Sequence, residues 1–239
     1  MNTVNTADTA TPPEIVALKG IAAAIIDLDG TMLDTAPDFH VAINRMRAEL
    51  ELAPLPQKTI IDFVGKGSEN LIRRVLGVDY PPAEVAQRFD AALDSYQSHY
   101  AVVNGSYATL YPGVVDGLQA MQDKGLRLAC VTNKPLAFAV ALLEKTGLRD
   151  YFEVVYGGDS FPLKKPDPMP LLAVCADFKL QPAQVVAIGD SSNDAQAARA
   201  AGCPVFNVPY GYNHGESIQD VDSDGIVASL LVAAQNISH

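Results

Sequence analysis

Tryptophan is absent and cysteine nearly so: three thiols, Cys130, Cys175 and Cys203, stand in 239 residues. An odd number of thiols, each inside an apolar stretch and none close to another in sequence, supplies neither a disulfide framework nor a thiolate metal site. They read as reduced core residues of a cytoplasmic protein. Basic charge is also short, with 17 Lys and Arg against 28 Asp and Glu and a net charge of −11. Nucleic-acid phosphates and anionic membrane surfaces both want a basic patch, so this balance argues against either as a partner. A small anionic ligand would have to be met by a local cluster of donors. No stretch reaches the ~18 apolar residues of a membrane span. Residues 1–14, rich in Thr and Pro, lack the basic and apolar regions of a signal peptide and are expected to be a disordered tail.

What is present is globular: 49% hydrophobic and 19% charged residues, in a length that suits one sizeable domain or one with a smaller companion. Apolar runs with strand character cover Ile21–Ile26, Leu126–Val131, Phe152–Tyr156, Val185–Ile188 and Val205–Val208. Between the later runs lie helical patterns at Val114–Lys124, Leu136–Thr146, Met169–Phe178 and Asp194–Ala201. Short apolar strands alternating with helices imply βαβ units, hence a doubly wound, Rossmann-like α/β core with a parallel sheet, over 15–36 and 107–239. From 37 to 106 the alternation stops. Phe39, Ile43, Met46 and Leu50 recur at helical spacing, as do Val85, Phe89, Ala92, Tyr96 and Tyr100, and Pro54, Pro56, Pro81 and Pro82 punctuate the stretch. A helical insertion after the first strand is expected, its stripes forming a core of its own.

Where the first apolar run breaks stands Asp27-Leu28-Asp29-Gly30-Thr31. Residues i and i+2 of a strand face the same side, but Gly30 ends regular strand at once, so the second carboxylate can swing away. Two like charges that close repel by roughly 4 kcal/mol at an effective dielectric near 20. A cation relieves this, and oxygen-only ligands suit Mg2+ best. An Asx turn at a strand end is the plain alternative.

Ligands of open parallel sheets bind outside the carboxyl ends of the strands. There the sequence places Thr132 and Asn133, the Lys164-Lys165-Pro166-Asp167-Pro168 loop, and Gly189-Asp190-Ser191-Ser192-Asn193-Asp194. Singly, these residues read as helix caps or solvated loops; jointly, they assemble a site. A phosphate ester brought to Asp27, Asp29, Asp190 and Asp194 is tolerable only with a dication and an ammonium group. Asp27 and Asp190 can supply oxygens to Mg2+, and Asp194 can ligate or orient. Lys165 supplies fixed positive charge. The Thr132 hydroxyl and Asn133 amide can hold phosphate oxygens.

These four groups, in this order, resemble the four signature motifs of the haloacid dehalogenase superfamily over about Ala22 to Ala201, and the helical insertion resembles its cap. The resemblance implies that Asp27 is the nucleophile that becomes phosphorylated and that Asp29 is the general acid/base. Thr132, Lys165 and Asp190 match the second, third and fourth motifs, and Mg2+ is expected on Asp27, Asp29, Asp190 and Asp194. It also implies a cis Lys165–Pro166 bond. Within the superfamily, the run from Asp27 to Thr35 with Phe63-Val64-Gly65-Lys66-Gly67, Gly157-Gly158-Asp159 and Lys164-Lys165-Pro166-Asp167-Pro168 is similar to the phosphoglycolate phosphatases.

A monomeric or homodimeric enzyme acting on a small phosphorylated metabolite, best 2-phosphoglycolate, is therefore expected. A halide-displacing enzyme has no use for Asp29. A sugar phosphomutase uses the same four motifs and stays open. A phospho-accepting signalling module wants a long-lived phospho-aspartate, which Asp29 would hydrolyse. The substrate's carboxylate is expected to meet Lys66 or the amides of the Gly65-Lys66-Gly67-Ser68 loop, though Lys66 reads equally as a solvated loop lysine. Arg73 and Arg74 are expected to face solvent.

Overall fold

A computed structural model describes residues 15–238; the tail expected over 1–14 lies outside them. In chain order the elements are β1 (Ala23–Ile26), β2 (Leu33–Asp34), α1 (Ala36–Glu49), α2 (Gln57–Ile61), α3 (Ser68–Leu76), α4 (Pro82–Val103), β3 (Thr109–Leu110) and α5 (Val114–Asp123). There follow β4 (Arg127–Val131), α6 (Leu136–Lys145), β5 (Val154–Tyr156), α7 (Met169–Phe178), β6 (Val185–Gly189), α8 (Ser192–Ala201), β7 (Val205–Asn207), β8 (Gly225–Ile226) and α9 (Leu230–Gln235). Six strands form one sheet in the order β5-β4-β1-β6-β7-β8, every neighbouring pair parallel.

The alternation of side chains along β1 divides the core in two. Ala24 and Ile26 join Leu128, Cys130, Val186 and Ile188 on one face, and Ala23 and Ile25 join Ala129, Val131, Val185 and Ala187 on the other. Helices cover both, so the central strands are buried throughout, which is why they read as unbroken apolar runs. All three cysteines are buried and free of disulfides.

Helices α1 to α4 enclose a third apolar cluster, built from the stripes Phe39, Ile43, Met46 and Phe89, Ala92, Tyr96, Tyr100. A proline in the first turn opens both α1 and α4, where no intrahelical N–H is required. Within this layer Arg47 is buried yet satisfied, donating to the carbonyls of Ala53 and Val75 and to Asp79. The two chain crossings between the layers pair as the antiparallel β2–β3 ladder. Asp38 at the start of α1 accepts from the Gly105 and Tyr107 amides on the return crossing. The β2–β3 ladder and β8 are additions to the elements expected from sequence: two residues per strand carry no detectable period.

Candidate active site

The parallel register puts the carboxyl ends of β1, β4 and β6 side by side, and the residues that leave them converge. Asp27, Asp190 and Asp194 each offer a carboxylate oxygen, all within 4.8 Å of one another. Lys165 enters from the loop after β5, with its Nζ 2.9 Å from Asp27 Oδ1 and 2.7 Å from Asp194 Oδ1, and donates a further hydrogen bond to the Val131 carbonyl at 2.7 Å. The Lys165–Pro166 bond is cis.

The close packing of this cluster is written in glycines. A Cβ on Gly189 would lie 2.3 Å from the Asp194 side chain, and one on Gly30 or Gly211 would lie 2.2 Å from Asp190. Gly30 also has φ +84°, the left-handed conformation that turns the chain immediately after Asp29. Asp190 accepts from Thr31 Oγ1 at 2.8 Å and from the Tyr212 amide. Asp194 is committed on both oxygens, one to Lys165 and the other to the hydroxyl and amide of Ser191, where it closes the capping box of α8.

Electrostatically the cluster is short of positive charge. Burial pushes the Asp27 carboxyl up to about 7, with Asp194 and Asp29 adding to the rise and Lys165 opposing it. Burial, then Asp194 and Asp27, raise Asp190 well above the carboxylate range. Lys165 moves up despite burial, because Asp194 and Asp27 outweigh it. Asp27 Oδ1 is buried and has no hydrogen bond despite its nearness to Lys165. A divalent cation with oxygen ligands answers each of these features, so the residues fit such an ion.

Not every expected residue lies with the trio. The Asp29 carboxylate turns away from it to Lys134 Nζ at 2.6 Å and Thr35 Oγ1 at 2.7 Å. Both N–H groups of the Asn133 side chain are used, by the carbonyls of Gly65 and Lys165, so that amide clasps two loops. Its reach across to Gly65 needed tertiary contacts that no local pattern encodes. Thr132 is buried at the end of β4 and accepts from the Lys134 amide. Lys66 is exposed on the loop before α3, as are Arg73 and Arg74 on that helix.

Three residues of the site escaped the sequence reading. Lys134, in the run Thr132-Asn133-Lys134, stands three residues past the end of β4, where a lysine is a detectable signal. Tyr212 donates its amide to Asp190, and its hydroxyl meets the amides of Thr35 and Ala36 and the carboxylate of Asp34, tying the acidic cluster to the chain crossing. His214 packs on Gly65 and reaches Asn193, and burial lowers its pKa. Both lie in a loop without periodicity.

The structure thus combines a parallel α/β sheet, a cluster of carboxylates at its carboxyl edge and a helical layer above them. The family model of haloacid dehalogenase-like hydrolases matches residues 24–208, and the chain belongs to that family. It is 49% identical over 217 residues to a phosphoglycolate phosphatase of Nitrosospira multiformis, covering 91% of this chain and 96% of that one. A plasmid-borne phosphoglycolate phosphatase of Cupriavidus necator is 48% identical over 87% of this chain and 89% of its own length. Among solved structures, one described as a predicted phosphoglycolate phosphatase from Haemophilus somnus superposes with a TM-score of 0.86 at 30% identity, covering 90% of this chain and 97% of that one.

Proposed function

We propose that the chain is a Mg2+-dependent phosphatase that hydrolyses 2-phosphoglycolate to glycolate and phosphate through a phospho-aspartate at Asp27. The observation that carries this reading is the buried trio of Asp27, Asp190 and Asp194 gathered on Lys165, with Asp29 one turn of chain away. The names of the relatives, similar over nearly the whole chain, support the substrate.

An Asp27 oxygen attacks phosphorus and the bond to the bridging oxygen breaks. Asp29 gives the leaving oxygen its proton, then takes one from the water that cleaves the acyl phosphate. Asp27 and Asp190, with Asp194 beside them, would hold Mg2+, which would supply positive charge against the phosphate. Lys165 keeps the Asp27 carboxylate and the bound phosphate compatible, and the Thr132 hydroxyl holds a non-bridging oxygen. Helices α1 to α4, which begin at Ala36 and otherwise fall in the 37–106 stretch, serve as the cap that excludes water, and Lys66 adds positive charge at its mouth. Buried free thiols and the lack of a membrane-crossing helix among the described residues support a cytoplasmic enzyme.

The test is a panel of phosphate monoesters assayed with Mg2+, with EDTA, and with Mg2+ restored. Phosphoglycolate turnover that stops in chelator and returns with Mg2+ is expected. A sugar phosphate with much higher kcat/KM would move the substrate assignment, and full activity in chelator would remove the metal.

A further inference from the structure

Lys134 is a charged group that the mechanism above leaves without a task. Its side chain is 3% exposed, and its ammonium is faced by two aromatic rings, Phe39 at 4.7 Å and Tyr100 at 4.9 Å. Among the described residues, the hydrogen-bond acceptor that this ammonium meets is Asp29 Oδ1. The pair borders a pocket between the helical layer and the sheet edge, walled by Phe39, Val64, Leu71, Tyr100 and Phe138. In the same pocket the Tyr100 hydroxyl is buried with no hydrogen-bond partner.

A buried ammonium in an apolar pocket requires an anion. Asp29 supplies it here, yet Asp29 must leave Lys134 and Thr35 to reach the leaving oxygen. Departure without replacement strands the charge. In phosphoglycolate the carboxylate hangs from the carbon that carries the bridging oxygen, so an ester placed for transfer through Asp29 delivers its own anion beside Asp29. The unpartnered Tyr100 hydroxyl offers a second donor there. Lys66, the neighbour of Gly67 in this pocket's lining, is exposed, and a pairing made in water discriminates little.

We propose that Lys134 reads the second anionic group of the substrate: it exchanges the Asp29 carboxylate for the substrate's carboxylate, and that exchange frees Asp29 to turn toward the leaving oxygen. The proposal rests on the phosphatase reading and deepens it. A substrate without a second anion must break the Lys134–Asp29 pair with nothing to replace it, so the selectivity extends to turnover as well as binding.

The experiment compares 2-phosphoglycolate with ethyl phosphate, in which a methyl group replaces the carboxylate, for the unmodified protein, Lys134→Met and Lys134→Arg. The unmodified protein should favour phosphoglycolate in kcat/KM, and Lys134→Met should lower that preference by about 100-fold, in line with the loss of a buried polar recognition group. Lys134→Arg, which keeps the charge, should restore part of it. If Lys134→Met fails to fold in a thermal melt, Lys134→Arg alone decides: its preference must fall by more than its ethyl phosphate turnover. Equal losses on both substrates would reduce Lys134 to a support for Asp29 and overturn the proposal while leaving the phosphatase reading intact. An unmodified protein inert toward both esters with Mg2+ would sink the phosphatase reading, and this proposal with it.

Discussion

Two buried lysines face the same site from opposite sides, and their surroundings differ in kind. Lys165, on the sheet side, donates to the Val131 carbonyl and to Asp194 and forms an ion pair with Asp27. Asp194 is itself locked by Ser191, so the ammonium has a fixed address. Lys134, beneath the helical layer, leans on Asp29 and on aromatic faces. A buried cation with several immobile partners belongs to the frame; one balanced by a single carboxylate that must also work elsewhere is available for exchange. On the proposed function, the sheet edge would carry the chemistry and the boundary with the helical layer the selection.

The sharpest way to break the sheet side is Asp27→Asn, which removes the proposed nucleophile and should take turnover to background. Activity above a trace, with deamidation excluded by mass spectrometry, would refute covalent catalysis at this residue. Asp29→Asn should cost about 10² to 10⁴ in rate, the usual contribution of a general acid or base, while the fold is kept. The loss should be greatest for an alkyl leaving group, which needs its proton most. Less than about tenfold on such an ester would remove Asp29 from proton transfer.

Replacing each lysine in turn sharpens the contrast between them. Lys165→Met strips the cation from Asp27 and Asp194 together and should destabilise the metal-free protein by about 3–5 kcal/mol, the range for breaking a buried ion pair. Protonation of Asp27, already pushed up to about 7 by burial, would soften that cost at low pH. Chemical denaturation with EDTA present measures it. A loss no larger than that of Lys134→Met would contradict the assignment of Lys165 to the frame.

The parallel sheet was legible in sequence because buried strands of four or five apolar residues contrast with their polar ends. Asp27, Asp190 and Lys165 were legible for the same reason, each leaving a strand or lying on a loop after one, and Asp194 because it stands one helical turn beyond Asp190. Orientation was not. That Asp29 faces Lys134, or that Asn133 spends both amide protons on Gly65 and Lys165, depends on contacts between residues more than 30 positions apart. Tyr212 and His214 lie in an irregular loop, where neither period nor motif marks a residue that folds back onto the site.

The smallest expected effect lies at the seam of the two layers. Glu69 on α3 pairs with Lys164, the neighbour of Lys165, at 2.9 Å, and the hydrogen bond from Lys164 holds the Glu69 carboxyl below its ordinary range. Both side chains are largely open to solvent, so the pair is worth about 0–1 kcal/mol and is screened by salt. A carboxyl lowered in the folded state stabilises at pH above its unfolded value, and that contribution disappears as pH falls through the folded value. Glu69→Gln should therefore melt slightly below the unmodified protein near neutral pH, with the two curves converging between about pH 5 and pH 3 and also in high salt. A gap that persisted unchanged at low pH would mean that Glu69 acts through packing and not through its charge. Convergence would identify the pair as an electrostatic clasp between the helical layer and the loop that bears Lys165.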